Sequence, residues 1–255
     1  MRIDLNADIG ESFGAYTIGA DAELMPNITS ANVACGFHGG DPAVMRRTVR
    51  MAREAGVSVG AHPGFQDLAG FGRREIRVTA QEAEDIVLYQ IGALAAIAKS
   101  EGLALRHVKP HGALYNMAVR DAALATAIAR AVRAFDPSLI LFALPGSELM
   151  RAGEDCGLTV AAEGFADRSY EPDGSLTPRS RASAVIHDPS LVVDRAVRMA
   201  TEGKVTAAGG SELLMRVQTI CTHGDTPGAQ ELTRAIRAGL VRAGVTVAPV
   251  SGTAS

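Results

Sequence analysis

Tryptophan is absent, and aromatic residues make up only 4% of the 255-residue chain. Sugar sites are commonly built on aromatic platforms, so a glycosidase or carbohydrate-binding barrel is disfavoured. There are three cysteines, Cys35, Cys156 and Cys221. Their odd number and wide spacing exclude a disulfide framework and a zinc knuckle. They read as small buried hydrophobes in a reduced setting. No basic run exceeds two residues, and the net charge is −3. The chain therefore lacks the electrostatic footprint of a nucleic-acid binder or of a membrane-surface patch. Its most apolar helix-like run, near 91–98, is far short of the roughly 20 residues that span a bilayer. The opening Met1-Arg2-Ile3-Asp4 lacks the apolar stretch of a secretory leader, so the expected location is cytoplasmic. No G-x-G-x-x-G follows the first strand and no G-x-x-x-x-G-K-[ST] occurs, which argues against dinucleotide and phosphate-loop folds.

Glycine, by contrast, is abundant: 27 residues, above a tenth of the chain against about 7% on average. Of six histidines, His38, His111 and His223 are followed directly by glycine, and His62 lies between Gly60 and Gly64. Such positions suit turns of special backbone angle or close ligand approach. Short apolar strands alternate with helices. Strands are expected over 3–8, 28–34, 57–61, 105–109, 139–144, 158–162 and 217–222, with a last strand-like piece at 245–248. Helices open at Asp41-Pro42, at the capping box Thr79-Ala80-Gln81-Glu82, at Asp121, after Pro145-Gly146-Ser147, at Asp188-Pro189 and at Pro227. The alternation predicts a parallel sheet. The length suits one α/β barrel over 1–250 with a frayed tail at 251–255; an open doubly wound sheet is the rival arrangement.

Ionisable residues gather at the carboxyl ends of these strands, where α/β barrels build their active sites. Asp8, His38, His62, His107, Lys109, His111, His223 and Asp225 are hard to explain as packing, because charge inside a barrel is costly unless paired or used. His107 and Lys109 stand two apart on one strand and so share a face. One of them can orient an oxyanion while a carboxylate moves protons. Equally, Asp8, His38 and His62 can be read as ligands of a divalent metal. Spacing does not choose between the two. Other residues have plainer readings. Asp4 reads as a paired charge at the far end of the barrel, Asp41 as a helix cap, and His187 as packing before a helix. Tyr170 is read equally as loop structure or as a substrate contact.

Seven segments together carry a resemblance. They are Asp4-Leu5-Asn6-Ala7-Asp8-Ile9-Gly10-Glu11-Ser12-Phe13-Gly14, Asn32-Val33-Ala34-Cys35-Gly36-Phe37-His38-Gly39-Gly40-Asp41, Gly60-Ala61-His62-Pro63, His107-Val108-Lys109-Pro110-His111-Gly112-Ala113-Leu114-Tyr115, Glu163-Gly164-Phe165-Ala166-Asp167-Arg168, Leu176-Thr177-Pro178-Arg179 and Ile220-Cys221-Thr222-His223-Gly224-Asp225. In this order, over nearly the whole chain, they resemble the LamB/YcsF family. The resemblance implies an irregular seven-stranded parallel β/α barrel related to the glycoside hydrolase/deacetylase folds. It also implies cleavage of 5-oxo-L-proline to L-glutamate coupled to ATP hydrolysis, in a complex with two partner subunits, B and C. Without a phosphate loop here, ATP, with its magnesium, is expected wholly or partly on a partner; a homo-oligomer is compatible with the sequence.

The resemblance assigns no residue roles; placement does. Asp8, His38, His62, His107 and Asp225 are the expected catalytic residues, with Asp8 or Asp225 as base. Asn6, Lys109, His111, Arg168 and His223 are the expected substrate contacts, Lys109 and Arg168 holding a carboxylate or phosphate. Two alternatives stay open. One is a metal-dependent deacetylase or amidohydrolase using Asp8, His38 and His62. The other is a subunit that binds 5-oxoproline without chemistry of its own. Five of the six rings, all but His187, are expected to face one pocket.

Overall fold

The computed structural model describes residues 1–223 and 228–251 and, of His223, the backbone. Asp225 therefore lies outside the described residues, as does most of the tail beyond 250. Ten strands are present among the described residues: β1 (Arg2–Ile9), β2 (Ser30–Ala34), β3 (Ser58–His62), β4 (His107–Val108), β5 (Ile140–Ala143), β6 (Thr159–Phe165), β7 (Lys204–Thr206), β8 (Glu212–Leu214), β9 (Thr219–His223) and β10 (Thr246–Val247). Seven of them close a barrel in the order β1-β2-β3-β4-β5-β6-β9, with β9 returning to β1 and every pairing parallel. The seven-stranded barrel is thus present, and the open sheet is excluded. β10 pairs with the first residues of β1, outside the ring.

Local chemistry sets the helix starts: α1 (Asp21–Leu24), α2 (Pro42–Ala55), α3 (Ala80–Ser100), α4 (Gly112–Ala118), α5 (Ala122–Phe135), α6 (Glu148–Asp155), α7 (Pro189–Glu202) and α8 (Ala229–Arg242). Asp41, Asp121 and Asp188 each accept two backbone N–H bonds at the first turn of their helices. Thr79 and Glu82 form the reciprocal capping box, satisfying donors that a helix start otherwise leaves orphaned. Gly56 and Gly203 end α2 and α7 in the left-handed conformation, at φ 68° and 66°. The buried stripe of α3 includes Val87, Gln90, Ile91 and Leu94. Gln90 is the polar member, and its amide clamps the backbone of Gly64 by accepting from its N–H at 3.0 Å and donating to its carbonyl at 2.8 Å. This fixes the loop that leaves His62.

The outer faces of the strands and the inner faces of the helices share one continuous apolar core. The barrel interior, in contrast, carries a polar stack along β1, beside a small apolar cluster of Ile140, Phe142 and Ala161 on β5 and β6. Asp4, Asn6 and Asp8 alternate on β1 and point inward in three successive layers. At the bottom, Asp4 accepts hydroxyl bonds from Thr219 (2.5 Å), Thr29 (2.6 Å) and Ser30 (2.7 Å). Burial raises its pKa, and the hydroxyls oppose the shift. Asp4 is therefore a hydrogen-bonded anchor far from the rim.

Candidate active site

The middle layer is a closed hydrogen-bond network. Asn6 donates to Glu163 at 3.1 Å and Thr219 at 2.6 Å, and its carbonyl oxygen accepts from Asn32 at 2.7 Å. His107 bonds the Asn32 carbonyl oxygen through Nε2 at 2.7 Å and stacks on Phe142 at 4.3 Å. Its ring occupies the space over Gly60, where a Cβ would collide with the imidazole. Gly60 is thus required by close approach. Burial, then the Lys109 charge, lowers the His107 pKa to about 3.

Above it sits Lys109, itself buried. Its ammonium donates to Asp8 Oδ1 at 2.8 Å, lies 3.0 Å from Glu163 Oε1, and reaches Asn6 Oδ1 at 3.3 Å and Cys221 Sγ at 2.9 Å. Burial opposes its charge, yet the Asp8 carboxylate, then Cys221 and Glu163, hold its pKa well above the usual lysine range. An ammonium has three N–H bonds, and here protein atoms take them. Lys109, expected as a substrate contact, thus lines the cavity while already ion-paired with Asp8 and Glu163. Asp8 also accepts from Asn32 at 2.8 Å, and its Oδ2 stands 3.4 Å from His62 Nε2.

The top layer holds three rings. His62 bonds the Lys109 carbonyl through Nδ1 at 2.7 Å and faces His111 Nδ1 with Nε2 at 3.0 Å. His111 bonds the Phe71 carbonyl through Nε2 at 2.8 Å. His38 lies face to face with His111 at 3.7 Å and approaches Glu11 Oε1 at 3.3 Å. Burial, followed by the neighbouring rings, lowers the pKa values of His38 and His111 well below the usual imidazole range. A Cβ on Gly64 would press against His38 Nδ1 at 2.7 Å, so this glycine also makes room for a ring.

A cavity of about 550 Å³ opens over this layer. Asp8, His62, Lys109, His111 and Arg168 line it, together with Glu11, Arg73, Tyr115 and Arg179. The structure therefore brings together five of the residues expected from sequence. Asn6, His38 and His107 are not in its lining: Asn6 and His107 belong to the layer beneath, and His38 is covered by His111. His187 lines a separate outer cavity of about 510 Å³. The common pocket thus receives the rings of His62 and His111 directly, with His38 packed behind them. Arg168 reaches the lining, but its Nε and Nη2 are used on the carbonyls of Ala184 and Thr177, where they brace the 167–184 loop. Burial, then Arg179, lowers its pKa to about 10. Tyr170 is buried loop structure, its hydroxyl accepting from the Phe165 N–H at 2.7 Å. Glu11, Glu163 and Tyr115 were not among the expected site residues, although all three stand in the quoted segments. Among the described residues, potential metal-ligand atoms of Glu11, His38, His62 and His111 converge within 4.8 Å of one another.

The neutral His107 makes a pH prediction. Its folded-state pKa of about 3 lies below the ordinary 6.5. Between these values the unfolded chain takes up a proton that the folded chain refuses, so stability falls as pH drops. A single such group adds about 1.4 kcal/mol per pH unit to that slope. In urea titrations between pH 6 and 4, His107→Gln should show a shallower loss than the native chain. Parallel slopes would contradict the assignment.

The LamB/YcsF family model matches residues 3–255. The A subunit of the 5-oxoprolinase from Symbiobacterium thermophilum is 59% identical over 246 residues, covering 96% of this chain and 94% of that one. The crystal structure of a lactam utilization protein from Thermus thermophilus superposes with a TM-score of 0.94 at 52% identity, covering 98% of this chain and 100% of that one. A polysaccharide deacetylase from Bacillus cereus shares the fold at 15% identity, TM-score 0.50, with coverage of 100% and 94%. No helix among the described residues is long and apolar enough to cross a membrane. With a family match over nearly its whole length and relatives above half identity, the chain belongs to the LamB/YcsF family.

Proposed function

We propose that this chain is the lactam-binding subunit of an ATP-dependent 5-oxoprolinase and opens the ring of 5-oxo-L-proline in its rim cavity. The observation that carries this reading is the pairing of Asp8 with Lys109 beside two imidazoles at the floor of a cavity sized for a small polar ligand. The names of the relatives, one a component of 5-oxoprolinase and the other a lactam utilization protein, supply the substrate class.

A five-membered lactam is an unactivated amide, and opening it near neutral pH needs help. Transfer of a phosphoryl group from ATP to the lactam oxygen makes the ring carbon electrophilic. A first water then adds to that carbon, the ring nitrogen leaves, and a second water releases phosphate, giving glutamate. Asp8 is the base for the attacking water; an ammonium at 2.8 Å favours its charged form. Arg168 and Arg179 in the lining give the cavity the positive charge that a carboxylate or phosphate seeks. ATP itself is handled wholly or partly by partner subunits B and C, and the protein works in the cytoplasm. Mixing the chain with both partners, 5-oxoproline, ATP and magnesium should yield glutamate and ADP together, and omitting this chain should abolish glutamate. No glutamate under any combination would reject the reading.

A further inference from the structure

Two rings at the rim have their tautomers set by the backbone. His62 Nδ1 stands 2.7 Å from the Lys109 carbonyl oxygen, and His111 Nε2 stands 2.8 Å from the Phe71 carbonyl oxygen. A carbonyl only accepts, so each of these nitrogens carries the ring proton. In that tautomer each uncharged ring would carry its lone pair on His62 Nε2 or His111 Nδ1, and these two atoms face each other at 3.0 Å. Lone pairs at that separation repel. Two carboxylate oxygens stand beside these nitrogens: Glu11 Oε1 is 3.5 Å from His111 Nδ1, and Asp8 Oδ2, on the carboxylate paired with Lys109, is 3.4 Å from His62 Nε2.

We propose that Glu11 Oε1, His62 Nε2 and His111 Nδ1 form a site for one divalent transition ion of the zinc class. Ligand atoms about 2.0–2.1 Å from zinc stand about 3.3 Å apart at a tetrahedral angle. The spacings of 3.0 Å between the two rings and 3.5 Å from His111 to Glu11 bracket that edge. Two imidazoles with one carboxylate select zinc, nickel or iron over magnesium or calcium, which take oxygen donors. The carbonyls behind both rings supply the outer hydrogen bonds that orient ligating histidines. His38 lies parallel to His111, 3.7 Å away and tilted by only 2°. An ion in the plane of the His111 ring is therefore out of the plane of His38. His38 seats Glu11 and His111 rather than holding the ion itself.

All three ligands line the cavity, so a fourth coordination position faces it, with Asp8 alongside. Three protein ligands and one open position are the arrangement of catalytic zinc sites. The proposal concerns the ion alone and stands whether or not the substrate is a lactam. A proton shared between the two rings is the competing occupant.

Calorimetric titration of the chelator-stripped full chain with zinc chloride near pH 7.5 separates the two. One equivalent of zinc should bind. Glu11→Gln, His62→Ala and His111→Ala should each weaken binding at least about tenfold, while His187→Ala, at the outer cavity, should leave it unchanged. Absence of stoichiometric binding, or binding unaltered in the three variants, would overturn the proposal. Should a variant fail to fold, X-ray absorption at the zinc edge of the native chain decides. A nitrogen and oxygen shell with imidazole scattering supports the site, and a sulfur shell or no retained zinc refutes it.

Discussion

Asp8→Asn should lower turnover of the reconstituted complex at least about 100-fold, the range for a lost acid–base group. The substitution keeps the shape of the side chain. An asparagine oxygen can still accept from Asn32 and Lys109, the two donors that now meet Asp8 Oδ1 at 2.8 Å. What disappears is the negative charge and the ability to take a proton from water. His62→Asn belongs to the same test, because its ring stands 3.4 Å from the other Asp8 oxygen. Steady-state rates at saturating 5-oxoproline and ATP read the chemistry, and KM reads binding. A fall in kcat with KM little changed places the residues in the chemical step. A rise in KM alone would make this chain a binding subunit without chemistry of its own. Near-native rates for both variants would remove Asp8 and His62 from the mechanism.

Much of the fold is legible in the sequence because its signals are local. Asp41, Thr79, Asp121 and Asp188 announce helix starts through residues that satisfy orphan backbone donors, and each one caps its helix. The antiparallel hairpin of β7 and β8 gives no such signal. Its strands have three residues each, too few for a period of two to register, although Gly209 and Gly210 mark a turn between them. Helix α4 escapes detection for a different reason. It begins at Gly112 with φ 53°, and His111 offers no side-chain cap, so it lacks the usual opening signal. The closure of seven strands into a ring depends on the pairing of β9 with both β1 and β6, contacts across most of the chain that no local pattern contains.

The site is legible in direction and not in depth. Alternation along β1 correctly turns Asp4, Asn6 and Asp8 inward, and the same parity turns His107 and Lys109 inward from β4. Residues two apart on a strand differ by roughly 6.6 Å along its axis. That step separates His107, bonded to Asn32 and stacked on Phe142, from Lys109 at the floor of the cavity. Parity cannot distinguish a residue that supports the site from one that faces the ligand. Glu163 is hidden because β6 runs to Phe165, three residues beyond the apolar run that marks its expected end. Glu11 lies beyond the end of β1, where alternation stops. It enters the site because Gly39 lets the chain approach: a Cβ there would meet the Glu11 carbonyl oxygen at 2.9 Å.

Lys109→Met should be the most destabilising change at the rim. Lys109 is the cation between Asp8 at 2.8 Å and Glu163 at 3.0 Å, and both it and Glu163 are buried. Removing one partner of a buried ion pair typically costs about 3–5 kcal/mol, because the other charge remains without compensation. Methionine matches much of the lysine stem, so little of the loss comes from a cavity. The lysine pKa is raised above 10.5 in the folded chain. Its contribution is therefore fully present at pH 7.5 and would be lost only as pH rises through the folded value. In the variant, the stranded carboxylates attract protons more strongly in the folded chain than in the unfolded one. The deficit should thus be largest at neutral pH and narrow towards pH 5. Urea titrations at both pH values measure it, and the double variant with Glu163→Gln tests its origin. If charge left behind is the cause, removing the Glu163 charge should recover at least about 1 kcal/mol, a coupling of the size seen between contacting residues. A deficit below about 1 kcal/mol in the single variant, or strict additivity in the double, would mean that the ammonium does not hold these carboxylates together.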